Sequence, residues 1–230
     1  MHRRSFLAGI VGATGLALTG PARAQGADYW YTVRGDDGGQ VPNLHLSADL
    51  MNAVQGLPGL ISGSAADATV TMVEFFDYNC PTCRRAAPEL RALAAEDGRI
   101  RLSFVNIPVL SPFSVEAAKV ELAVHRLHGG ATAEAFQKKL ILQKGVATGA
   151  RALDLAAAMG LPRPAIEAAA AAPALDKDIA AHIGLADQIG FDATPSFVIS
   201  DAGIIGYPGQ NAIMGMVGAV RKCGVIDCTS

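Results

Sequence analysis

Two thiols separated by a proline and a threonine, Cys80-Pro81-Thr82-Cys83, are the side chains of this sequence with the clearest capacity for chemistry. Ahead of them runs Ala68-Thr69-Val70-Thr71-Met72-Val73-Glu74-Phe75-Phe76, β-branched and aromatic, which reads as a buried strand. Behind them, apolar and alanine positions recur at helical spacing from Pro81 to about Ala95. A thiol at such a junction sits at a helix N-terminus, where free N–H groups and the helix dipole favour the thiolate. Cys80 is therefore the expected nucleophile. Cys83, one turn further in, is expected to close the intramolecular disulfide and release a mixed-disulfide partner. Pro81 falls where a helix tolerates proline, and the Thr82 hydroxyl can donate to a thiolate without adding charge.

The same spacing is also half of a zinc site, which needs two further Cys or His ligands. Cys223 and Cys228 are the remaining cysteines. Their four-residue spacer, beyond the last helical stretch, suits a small structural disulfide; a shuttle couple is the other reading. His125 and His128 precede Gly129-Gly130, where histidines interact with helix C-terminal carbonyls. Neither a resident metal nor a cofactor is expected.

The elements that must position the thiols follow from pattern. Residues 25–42 hold an aromatic cluster and turn-forming residues without a sustained period, an extended lead-in. Ser47 to Val54 suits a short helix with Ser47 as its cap, in an arm that packs on the domain or on another subunit. Glu96-Asp97-Gly98 ends the helix behind Cys80, and Ile100 to Val105 alternates as a second strand. Between Pro112 and about Ile189, alanine-rich helical stretches break at Gly129-Gly130, Gly145, Gly160-Leu161-Pro162 and Ala172-Pro173. Strand character returns at Ser196 to Ile199 and at Ile204 to Tyr207, with Asp201-Ala202-Gly203 as the hairpin turn, before a last helix from about Asn211 to Lys222.

At the start, Arg3-Arg4-Ser5-Phe6-Leu7, a short glycine-broken apolar run and Pro21-Ala22-Arg23-Ala24 read as a signal peptide over 1–24 of the twin-arginine kind. That predicts a bacterial, periplasmic protein, and four cysteines suit a compartment where disulfides persist. A formal net charge of -2 argues against nucleic acid or an anionic membrane as partner.

Val73 to Cys83, Ile107 to Ser114 and Ala193-Thr194-Pro195-Ser196-Phe197-Val198-Ile199 together resemble the DsbA-like family of exported thiol-disulfide oxidoreductases. The resemblance extends over roughly Val70 to Met216, not over the arm, and implies an α/β, thioredoxin-like fold with an inserted helical subdomain; joined to the pattern above, this gives an arm of 25–66 and a domain spanning 67–230 with the insertion at about 112–189. It places a cis-proline loop at Thr194-Pro195 facing Cys80. A proline lacks an N–H and adopts cis readily, leaving backbone acceptors of its neighbour free for an added substrate strand. Glu74 matches the family's buried acid, able to relay a proton to or from Cys83; a strand glutamate facing outward is the alternative. Two positions depart from the family, Thr82 in place of the founding oxidase's histidine and Ala193 in place of glycine.

The leading expectation is a monomeric oxidase that takes electrons from reduced or misfolded exported proteins and is reoxidised by a DsbB-like membrane partner. Thr82 and the arm motivate an alternative, an isomerase or reductase working as an oligomer. A copper-handling thiol protein is the alternative from another class.

Overall fold

The computed structural model describes residues 29–63 and 65–229. The leader expected over 1–24 lies outside them. Among the described residues no helix is long and apolar enough to cross a membrane.

Five strands form one sheet in the order β1-β5-β4-β2-β3. They are β1 (Asn43–His45), β2 (Val70–Phe76), β3 (Ile100–Asn106), β4 (Ser196–Ile199) and β5 (Ala202–Ile205). β2 and β3 pair in parallel, Val70 opposite Ile100 through Phe76 opposite Asn106, while β4 runs antiparallel to β2. The parallel pair requires a crossover, which α2 (Pro81–Asp97) supplies.

Alternation along β2 divides the core in two. Val70, Met72 and Phe76 join the cluster that holds Cys83, Ala87 and Leu90 of α2, whereas Val73 and Phe75 join Leu185, Ile189 and Phe191. Glu74 belongs to the first set by register, which puts a carboxyl beneath α2.

The remaining helices are α1 (Ala48–Gln55), α3 (Pro112–Ile141), α4 (Gly149–Ala158), α5 (Arg163–Ala170), α6 (Pro173–Ile189) and α7 (Gln210–Cys223). α3 packs on α4, α5 and α6 to build the inserted helical layer between β3 and β4, and α7 lies beside α2. The break expected at Gly129-Gly130 is a kink within α3, since Gly129 alone leaves helical geometry with φ 80° and ψ 172°. The breaks at Gly145, Gly160 and Ala172 do separate helices.

Two expectations are corrected. The last strand begins at Ala202 rather than Ile204, because the reversal is made by Ser200, at φ 54°, and Asp201. No element was expected between the lead-in and the short helix, yet Asn43–His45 pairs antiparallel with Ala202–Ile204 as an edge strand, and the buried Asn43 side chain accepts from Tyr31 N–H at 2.7 Å and donates to Tyr31 and Val41 carbonyls. The arm also terminates α7 at its other end. Asp36 accepts from the N–H groups of Asn211 and Ala212 at 3.1 and 2.8 Å. Gly209, the residue before the helix, offers no side chain for that purpose, and a Cβ there would overlap the Asp36 carboxylate.

Candidate active site

β2 delivers the chain to a tight turn in which Asp77, fully buried, accepts from the backbone N–H groups of Asn79 at 2.7 Å and Leu110 at 3.0 Å. Asn79 ties this turn to the helical layer, donating to Ser114 Oγ and the Ala147 carbonyl and accepting from Ala147 N–H at 2.8 Å. Arg84 donates to the Tyr78 carbonyl at 2.6 Å and also to the Gln143 carbonyl. The loop carrying Cys80 is thus held from three elements before any chemistry is considered.

Cys80 is the N-cap of α2, with Pro81 in the first helical turn. Its sulfur accepts from Cys83 N–H at 3.4 Å and, in the protonated form, donates to the Thr194 carbonyl at 3.1 Å. Cys80 retains 5% of its surface and Cys83 none, so only the first sulfur is open to attack by a partner. Both are free thiols. The Cys83 thiol donating to Cys80, helped by the Thr194 side chain and the N–H groups of Cys83 and Thr82, outweighs burial and brings Cys80 down to about 5. Cys83 moves the other way: burial, its commitment to Cys80 and the nearby Glu74 carboxyl push its thiol far up.

Glu74 is 2% exposed, and burial pushes it up to about 8, with Arg91 opposing and Cys80 reinforcing. It faces the core rather than solvent. At neutral pH the reduced site therefore holds a Cys80 thiolate, a protonated Cys83 and a protonated Glu74. This set can attack a disulfide, or be regenerated as the leaving group of one, with a proton source beside the inner sulfur.

The structure brings Cys80, Cys83, Thr194 and Glu74 together, with Pro195 buried behind a cis Thr194–Pro195 bond. Pro81 is exposed, and the Thr82 hydroxyl accepts from Arg85 at 3.3 Å. Cys223 and Cys228 stand elsewhere, joined as a disulfide beyond α7. Arg221, two residues before Cys223, donates to Thr69 at 2.8 Å, just ahead of β2, while Cys80 follows the strand's far end. His125 and His128 lie on α3 with no cysteine beside them, and no group of three His, Cys, Asp or Glu among the described residues is arranged to hold a metal ion.

Sequence reasoning missed Arg91, which lies over the Phe104 ring at 4.6 Å and acts on Glu74. Its signal was present: eleven residues after Cys80 on a helix is nearly a whole number of turns, hence the same face. It also missed a second buried acid. Tyr78 donates to Glu121 of α3, Asn106 donates to the other oxygen at 3.4 Å, and burial lifts Glu121 to about 7. Nothing in the helical pattern of α3 marks Glu121 as turned inward, because the run from Ala117 to Val124 is apolar almost all round, apart from Lys119 and Glu121 itself, and shows no single inner face.

Comparison with known proteins bears on this geometry. The thioredoxin family model Thioredoxin_4 matches residues 59–217. The chain is similar to a thioredoxin-like oxidoreductase from Silicibacter pomeroyi DSS-3, with 34% identity over 75% of this chain and 98% of that one, at a TM-score of 0.68. It shares its fold with the thiol-disulfide exchange protein alpha-DsbA2 from Wolbachia pipientis, at 23% identity, 75% and 92% coverage and a TM-score of 0.67. A periplasmic thioredoxin-like protein from Salmonella enterica serovar Typhimurium also shares it, at 22% identity, 78% and 98% coverage and a TM-score of 0.61. No curated protein matches the sequence.

Proposed function

The chain belongs to the DsbA-like Thioredoxin_4 family and is a thiol-disulfide oxidoreductase, and from that premise we propose that it works as an oxidase on exported proteins through the Cys80–Cys83 pair. The observation that carries the direction is the stabilised Cys80 thiolate. A nucleophile at about 5 is almost wholly ionised at neutral pH, whereas a free thiol near 8.5 is almost wholly protonated. The reduced pair then gains about 2.7 kcal/mol, or about 60 mV towards oxidant.

In this reading the thiolate of a reduced substrate attacks Cys80 in the disulfide form and Cys83 departs. Glu74, close enough to raise Cys83, supplies the proton that the departing sulfur takes up. The Thr194 carbonyl, beside Cys80 and outside any strand, is available to pair with the backbone of the substrate. Pro81 and Thr82 set the environment of the thiolate, and Pro195 fixes the loop that faces it. Cys223–Cys228 is a structural clamp on the C-terminal segment.

Residues 1–24 act as the export leader, 25–66 as the arm and 67–230 as the catalytic domain, with a DsbB-like membrane protein restoring the disulfide. The periplasmic character of the similar Salmonella protein supports that location. The arm supports a single-chain enzyme over an oligomer, because β1 and the buried Val54 of α1 are satisfied by this chain's own sheet and core.

The test is the equilibrium potential of the Cys80–Cys83 pair against glutathione, with Cys223 and Cys228 replaced so that one couple titrates. A value well above about -180 mV supports the oxidase. A value near about -270 mV, that of a reductant, overturns it.

A further inference from the structure

Two side chains of α3, seven residues apart, reach into the turn that carries Cys80. Ser114 accepts from the Asn79 side chain at 3.0 Å, and Glu121 accepts from the Tyr78 hydroxyl. Seven residues make almost two helical turns, so both face the same way, and they grip the two residues that immediately precede the nucleophile. Glu121 and Tyr78 are 1% and 0% exposed. The second Glu121 oxygen accepts from Asn106 of β3 at 3.4 Å, and among the described residues neither thiol hydrogen-bonds to this acid.

We propose that Glu121 is a positioning residue of the oxidoreductase, acting through Tyr78 to fix the turn that seats the Cys80 sulfur at the head of α2. The proposal rests on the oxidoreductase reading above and gives this buried acid a part in it. Packing alone does not account for the pair. A Phe at 78 and a Leu at 121 would fill similar space without desolvating a carboxyl, and exchanging both partners of a buried hydrogen bond for apolar groups is nearly neutral to stability. What the bond adds is direction, since it holds the phenol at one point where an apolar contact can slide.

Tyr78 has little freedom to absorb a change. Its ring packs edge-on against Phe76 at 5.1 Å, and its carbonyl accepts from Arg84 at 2.6 Å. A displaced hydroxyl therefore moves the backbone, and with it Cys80, whose N–H is bonded to the Asp77 carbonyl at 3.1 Å. The low Cys80 value comes first from the Cys83 thiol and also draws on the N–H groups of Cys83 and Thr82. Hydrogen bonds of that kind weaken steeply with misalignment.

The experiment uses the reduced full-length protein and its variants Glu121→Leu, Tyr78→Phe, the two combined, and Glu121→Gln. Alkylation of Cys80 by iodoacetamide is followed against pH at its own peptide by mass spectrometry, and urea denaturation reports folding. The unsubstituted midpoint is expected near 5. Glu121→Leu and Tyr78→Phe should each raise it by about one pH unit, the size of one net hydrogen bond. At neutral pH each should also disfavour the reduced Cys80–Cys83 pair about tenfold in a glutathione buffer, where two glutathiones leave as their disulfide. The double variant should match the singles, because all three break one link.

Glu121→Gln should keep the midpoint near 5, where Glu121 is itself the neutral acid. The Gln carbonyl accepts from Tyr78. With the Asn106 amide turned over, its Oδ1, buried without a hydrogen-bond partner among the described residues, accepts from the Gln amide. A purely structural pair would lower the urea midpoints and leave Cys80 alone. An unmoved Cys80 midpoint in folded Tyr78→Phe, which loses one oxygen and keeps the ring, overturns the proposal, as does a double variant whose shift is the sum of the singles. The level beneath is read separately: an unsubstituted protein whose Cys80 titrates like a free thiol, near about 8.5, overturns the oxidase reading itself.

Discussion

At neutral pH the reduced site carries its charge on Cys80, while Glu74, buried only a short way off, stays protonated. These two groups couple folding to pH with opposite signs. Cys80 in the folded chain titrates near 5, below a free thiol, so its contribution to stability is present above about 8.5 and is lost as pH falls through 5. Glu74 titrates near 8, above its ordinary 4.5, so its contribution is present below 4.5 and is lost as pH rises through 8. Removing the second should expose the first. Between pH 5 and 8, the stability of reduced Glu74→Gln relative to the reduced unsubstituted protein should rise by about 1.4 kcal/mol per pH unit, read from urea midpoints. Glu121 is present in both proteins and drops out of the difference; parallel curves would mean that Glu74 ionises freely. A second expectation concerns the largest cause of the low Cys80 value, the hydrogen bond from the Cys83 thiol. In Cys83→Ala the midpoint of thiolate absorbance should move upward from about 5, and an unmoved midpoint would assign the shift to the backbone of α2 instead.

Helix α7 shows how a distant segment completes an element. Glycine precedes it, so its first N–H groups depend on Asp36, some 170 residues earlier in the chain, at separations of 175 and 176. Asp36→Ala should therefore lower unfolding free energy by about 1 kcal/mol, with Asp36→Asn retaining most of it, both measured by urea denaturation. A neutral result in the alanine variant would mean that water replaces the cap without cost. Such pairings explain what could be read in advance. β2, α2, β3, the helical insertion and β4 announce themselves by local periodicity, and Cys80, Cys83 and Pro195 by short motifs. β1 is three residues long with no alternation to detect, and it exists because Asn43–His45 meets β5 across a long sequence separation. Glu74 was legible as a charge in an apolar strand, but its inward direction required the register of β2 against β4. Arg91 and Glu121 look like ordinary helix residues until their neighbours are placed.

Across the whole molecule β2 acts as a spine, with the reactive thiol after its last residue and Arg221 holding the C-terminal segment before its first. Ile226, inside the loop closed by Cys223 and Cys228, is 3% exposed and packs into the main core, and Thr32 of the arm donates to Asp227 at 3.3 Å. The clamp therefore secures the last residues and the arm together. Replacing both cysteines by alanine should cost about 2 kcal/mol, as expected for so small a loop, while leaving the Cys80–Cys83 potential in place. A shifted potential would mean that the two ends of the spine communicate. Seven residues of extended strand span about 23 Å, far beyond the reach of one sulfur for another. Counted in electrons, full reduction would load the chain with four, yet a protein docked at Cys80 can exchange only two of them, and the two held in the clamp stay out of its reach.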